Sequence, residues 1–125
     1  MSSSVSKRYE EVVQEINENR SQMQVQYDLL RALTAQKSEN ESVKKDFDSL
    51  EQDATIWKLV GPVMVKQDCE DAKTNVDKRI EFIAADIAKA EVEIKRLEEI
   101  FETKRNELLK LQEQEQQPAV LSTNA

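Results

Sequence analysis

Apolar residues recur along this chain at two different periods, and the change of period divides it into three segments. Between residues 4 and 52, Tyr9, Val12, Ile16, Met23, Leu30, Leu33 and Phe47 fall on steps of three and four or their multiples, which is the spacing of one helix face. With Tyr9 at a heptad a position, the other core slots hold Asn19, Gln26, Lys37, Asn40 and Lys44, so seven of twelve slots are apolar. No Gly or Pro interrupts this stretch, and a helix over about 4–52 is predicted. Val43 and Leu50 stand one residue out of phase, which predicts that the stripe shifts after the polar run 34–42.

The third segment is patterned more regularly. Val76, Ile80, Ile83, Ile87, Ala90, Ile94, Leu97, Phe101, Lys104, Leu108 and Leu111 follow an unbroken 4-3-4-3 spacing, and ten of these eleven are apolar. Sustained over five heptads, that pattern predicts a coiled-coil helix over about 69–117. Asp68 is placed to cap it, and Glu70 and Asp71 put negative charge where the helix dipole favours it. Pro118 is expected to end it, leaving 118–125 as a loose tail.

Two helices of equal length, each roughly 70 Å at 1.5 Å per residue, flank a short connector. They are expected to fold back as an antiparallel pair in which facing residue numbers sum to about 122. Val12 then lies near Lys110, and Leu30 near 92–94. The connector itself, residues 54–67, reads Ala-Thr-Ile-Trp-Lys-Leu-Val-Gly-Pro-Val-Met-Val-Lys-Gln. Its β-branched and aromatic residues, split by Gly61-Pro62, predict strands at about 55–60 and 63–67. Gly61 suits a positive φ at the first turn position, and Pro62 the fixed negative φ of the second. Ile56, Val60, Val63 and Val65 alternate with Trp57, Leu59 and Met64, so both hairpin faces are apolar. A lone hairpin of this kind is marginal in water, which predicts an obligate oligomer built through it. Lys58 and Lys66 would act as charged guards that limit which edges pair. The fold class is therefore mainly α: a single domain over 1–125, a long antiparallel two-helix coiled coil joined by one short β-hairpin.

Composition narrows the chemistry. One Gly, two Pro and no His among 125 residues exclude glycine-rich phosphate loops, imidazole bases and His-based metal sites. A single Cys excludes an internal disulfide and a cysteine-rich zinc site, and Cys69 reads as a spectator thiol. No nucleophile is placed beside a base, so no enzyme is expected, and no cofactor. With 18 basic against 25 acidic residues the chain carries net charge −7 and no clustered basic face, which argues against nucleic acid. No run of apolar residues is long enough for a signal peptide or a membrane span. A soluble protein of a reducing compartment is expected.

The connector Trp57-Lys58-Leu59-Val60-Gly61-Pro62-Val63-Met64-Val65-Lys66-Gln67-Asp68, set between two coiled-coil helices, resembles that of the β-class prefoldin subunits. The likeness covers about residues 5–115. Its specificity lies almost wholly in this connector, which is too short for the two hairpins of the α-class. The resemblance implies a hetero-hexamer with other α- and β-class subunits, whose hairpins form a platform from which coiled-coil arms hang. It implies ATP-independent capture of unfolded proteins, actin and tubulin in eukaryotes, and their delivery to the cytosolic group II chaperonin, and so a cytoplasmic protein. On that reading Ile56, Trp57, Leu59, Val60, Gly61, Pro62, Val63, Met64 and Val65 form the oligomerisation hairpin. The client-holding residues would be Val5, Tyr9, Val12, Val13, Leu108 and Leu111 at the arm ends. Val12 and Val13 cannot both face one seam, so one of them is a candidate for exposure. Lys104, a charge within the stripe, is expected to loosen pairing there. Plain seam packing of the same residues, with Asn19 and Asn40 setting register, stands as the simpler reading of the arms. A structural coiled-coil adaptor docking on one fixed partner through its hairpin is the alternative function.

Overall fold

The computed structural model describes residues 3–50 and 54–124, with side chains described for 4–50 and 54–114. In chain order it contains α1 (Ser3–Asp48), β1 (Ile56–Val60), β2 (Val63–Gln67) and α2 (Cys69–Asn124). The chain packs as two units: one combines residues 1–28 with 91–125, the other is residues 29–90.

The hairpin unit is centred on the strand pair. β1 and β2 are antiparallel, with Val60 opposite Val63, Leu59 opposite Met64, Lys58 opposite Val65, Trp57 opposite Lys66 and Ile56 opposite Gln67. Gly61 has φ of 59°, the left-handed region that a Cβ disfavours and that a two-residue turn of this kind requires. Its surroundings are open, with no atom within 4 Å of where a Cβ would stand, so glycine is needed here for backbone conformation and not for space. Asp68 caps α2 as expected, its Oδ1 accepting from the Glu70 amide at 2.8 Å while its carbonyl accepts from Ala72 at 3.0 Å. Leu33, Cys69, Ala72, Val76 and Ala90 are the buried apolar residues of this unit. Lys44 bonds Asp77 at 3.0 Å, the antiparallel register that the sequence predicts.

Seam phase in this unit differs from expectation. Val43 and Leu50 are exposed, whereas Lys37, Asn40 and Phe47 are half-buried. The stripe keeps its original phase at these three positions, though the expected slot Lys44 is exposed. The Lys37 stem can lie along the seam while its ammonium comes within 3.9 Å of Glu41. Asn40 Nδ2 donates to the Gln36 carbonyl of its own helix at 2.7 Å. α1 ends at Asp48, four residues before the expected boundary, with Lys45 in its last turn, where a cation suits the helix dipole. Residues 51 and 52 lie outside the described residues. At the other end, α2 continues through Pro118 to Asn124 where a loose tail was expected. Pro118 has no amide to give the carbonyl four residues before it, so the helix passes this position with one backbone hydrogen bond fewer.

The second unit is a helix pair. Val12, Ile94, Leu97 and Leu111 are buried in it, Leu97 at 1% exposure and Val12 at 0%. Tyr9 pairs with Gln112 at 3.3 Å, and the Arg20 guanidinium sits 5.5 Å from the Phe101 ring. Tyr27 donates to Glu98 at 2.7 Å. Residue numbers rise on α1 as they fall on α2, which is the antiparallel arrangement.

Candidate functional site

The hairpin presents an apolar surface that none of the described residues covers. Trp57 is 55% exposed and Leu59 66%; Val60, Val63, Met64 and Val65 are also open. Directly opposed residues share a face, so the register places Ile56, Lys58, Val60, Val63, Val65 and Gln67 on one face and Trp57, Leu59, Met64 and Lys66 on the other. Only Ile56 and Gln67, at the base, are half-buried. Beside that base lies a cleft of about 280 Å³ lined by Val43, Phe47, Ile56, Trp57, Val76 and Arg79. Six large apolar side chains on a ten-residue ribbon, all about half exposed or more, form the kind of patch that marks an interaction surface.

At the free ends of the helices the six residues expected to hold clients separate into two groups. Val12 and Leu111 are buried in the seam, because each falls on the stripe of its own helix. Val5, Tyr9, Val13 and Leu108 are half-buried. Val13, not Val12, is thus the valine turned from the seam. Leu109, which the heptad reading passed over, is 47% exposed. Being one residue past a stripe position was the signal that marked it.

Lys104 does not loosen the seam. Its Nζ reaches Glu15 Oε2 at 2.7 Å and lies 4.0 Å from Glu107. Arg8 donates from Nε to Glu107 at 2.7 Å and lies 3.3 Å from Glu11 and from Glu15. A charge in an apolar stripe is tolerated because the facing helix supplies the carboxylate. The Lys104 hydrogen bond holds the Glu15 carboxyl below the usual carboxylate range, with Arg8 adding to the effect. The Arg8 hydrogen bond does the same for Glu107. Asn19, another polar core slot, is buried and donates from Nδ2 to the Leu97 carbonyl at 3.1 Å. Among the described residues no group of acidic or thiol side chains is arranged to hold a metal ion, and no helix is long and apolar enough to cross a membrane.

Two antiparallel arms bridged by a bare apolar hairpin define a class of protein: the paired-arm coiled-coil subunit. The chain belongs to the prefoldin subunit family, whose model matches residues 6–115. It is 44% identical over 87 residues to prefoldin subunit 6 of Arabidopsis thaliana, an alignment covering 70% of this chain and 67% of that protein. With prefoldin subunit 6 of Homo sapiens it shares 33% identity over 108 residues, 82% of this chain and 84% of the relative. The prefoldin beta subunit from Thermococcus strain KS-1 has the same fold, with a TM-score of 0.78 at 18% identity over 82% of this chain and 90% of that one.

Proposed function

We propose that this chain is one subunit of a cytoplasmic, hexameric, ATP-independent co-chaperone. In it the chain assembles through its hairpin with other α- and β-class subunits, holds unfolded proteins at its arm ends and passes them to a group II chaperonin. Actin and tubulin are the expected clients in a eukaryote. One observation carries the reading: Trp57, Leu59 and Met64 on one hairpin face and Val60, Val63 and Val65 on the other are all exposed. A two-stranded ribbon with both faces apolar and both edges unpaired is stable only when other chains complete it. The family supports the same picture, since several relatives carry the name of a numbered subunit.

Holding at the arm ends draws on Leu109, which is open, and on Val5, Tyr9, Val13 and Leu108, which are half open. Apolar contact is non-directional, which suits clients of varied sequence. Several arms engaging one client would raise avidity without strong single contacts.

The test is purification of the chain with its stoichiometric partners, followed by light scattering of a chemically unfolded protein without nucleotide. Suppressed aggregation by a hexamer supports the reading. One fixed folded partner and no suppression would replace it with a structural adaptor.

A further inference from the structure

The free ends of the helix pair are closed by charge as much as by apolar contact. Arg8 of α1 bonds Glu107 of α2 at 2.7 Å, and Lys104 of α2 bonds Glu15 of α1 at 2.7 Å. The cross-links are braced on each side, since Arg8 also lies 3.3 Å from Glu15 and Glu11, and Lys104 4.0 Å from Glu107. Both carboxylates are thus shared by both cations. One helical turn from these groups, on the same faces, stand Val12, Leu108 and Leu111, two of them buried and Leu108 half-buried. Deeper in the same unit Ile94 and Leu97 are buried at 7% and 1%. Near the ends Lys104 takes an apolar slot and Leu108 is only half-buried, so fewer stripe positions there are apolar and closed, Val12 and Leu111 being the buried ones. The four network side chains retain between 26% and 37% exposure, although the Glu15 Oε2 oxygen is itself enclosed, so salt screens the network from its open side.

We propose that Arg8, Glu15, Lys104 and Glu107 form an ionic clasp over a latent apolar strip. Closed, it hides Val12, Leu108 and Leu111; opened by salt or by competing charged groups of a bound polypeptide, it uncovers them. The clasp regulates the arm-end holding surface and rests on that reading of the arms.

Hydrogen exchange on the full chain tests it. Glu15→Gln with Glu107→Gln keeps shape and removes the shared charges. Exchange at 9–16 and 104–111 should become about tenfold faster, with a matching rise in binding of a hydrophobic dye. Sodium chloride at ~1 M, where screening acts within about 3 Å, should produce the same change in the native chain and add nothing to the variant. Glu93→Gln with Arg96→Gln removes a 2.6 Å pair confined to α2 and should leave exchange at both segments unchanged. Unchanged exchange in the first variant, or equal acceleration in the second, overturns the clasp. Should the double variant lose helicity altogether, Lys104→Met decides. The clasp requires faster exchange at 9–16, whereas a seam closed by apolar contact alone would be tightened. Client capture is scored separately by light scattering. Faster exchange with unchanged capture leaves the clasp standing and removes the holding surface from the arm ends. Greater capture with unchanged exchange removes the clasp.

Discussion

Asn19 and Leu97 are joined across the seam: the asparagine Nδ2 donates to the leucine carbonyl oxygen at 3.1 Å, and both residues are buried. That carbonyl belongs to a helix and has an amide partner within it, so the bond is an added one. Asn19 Oδ1 finds no partner, and an unpaired buried polar atom costs free energy. A polar group held in an apolar stripe at a cost in stability fixes register.

Replacing Asn19 with Leu should therefore stabilise the chain by roughly 1 kcal/mol while weakening register choice. Thermal unfolding should show a Tm higher by about 4 °C. A lower Tm would mean that the hydrogen bond to Leu97 outweighs the unpaired oxygen.

Burial separates two α2 residues of similar apolar character. Leu97→Ala empties a site that is 1% exposed and should cost about 3 kcal/mol. Phe82→Ala alters a residue 70% exposed and should stay within about 0.5 kcal/mol of native. Urea midpoints measured side by side check both values.

On the proposed assembly through the hairpin, Trp57→Asp should abolish it, because the variant sets a charge on a face that other chains would desolvate. Helicity of the separate chain should be unchanged, since Trp57 is more than half exposed there. Native mass spectrometry reads the outcome, and an intact hexamer would remove the hairpin from the assembly interface.

Acid should open the free ends of the helix pair. Glu15 is held below the ordinary range chiefly by its hydrogen bond from Lys104, and Glu107 chiefly by that from Arg8. Both ionise more readily in the folded chain, so their stabilisation is whole above the ordinary glutamate pKa of about 4.3. It is lost as pH falls through the lowered folded values. Arg8, Lys104 and the neighbouring Glu11 are the other charges in this network. Exchange protection at 9–16 should be flat from pH 6 to 8 and fall on the acid side. The Glu15→Gln, Glu107→Gln variant should lack that acid limb.

The fold was legible where one residue type leaves one option. Ten apolar residues in eleven stripe positions admit only a seam, and all eleven of those positions in α2 are buried or half-buried. Gly61-Pro62 likewise located the turn, because few other pairs supply a positive φ followed by a fixed negative one. The middle of α1 was harder. Val43 and Leu50 suggested a new phase, yet the seam kept Lys37, whose stem can stay in line while its ammonium points out, and Asn40, whose amide turns back to the Gln36 carbonyl of its own helix. The ends of the helices misled for a related reason. Lys104 looked disruptive in one dimension, and only the facing helix, some ninety residues earlier in the chain, shows Glu15 waiting for it. Leu109 escaped notice because periodicity identifies what is buried and says little about what is left over.

Lys58 stands opposite Val65 on one face of the hairpin, and Lys66 opposite Trp57 on the other. Each face therefore has a single positive corner, one on the outgoing strand and one on the returning strand. Rotating the ribbon by half a turn about its long axis exchanges both strands and faces, and so carries each lysine to within one rung of the other's place. The two cations therefore look alike either way up. What tells the faces apart is apolar shape, with Trp57, Leu59 and Met64 on one and Val60, Val63 and Val65 on the other.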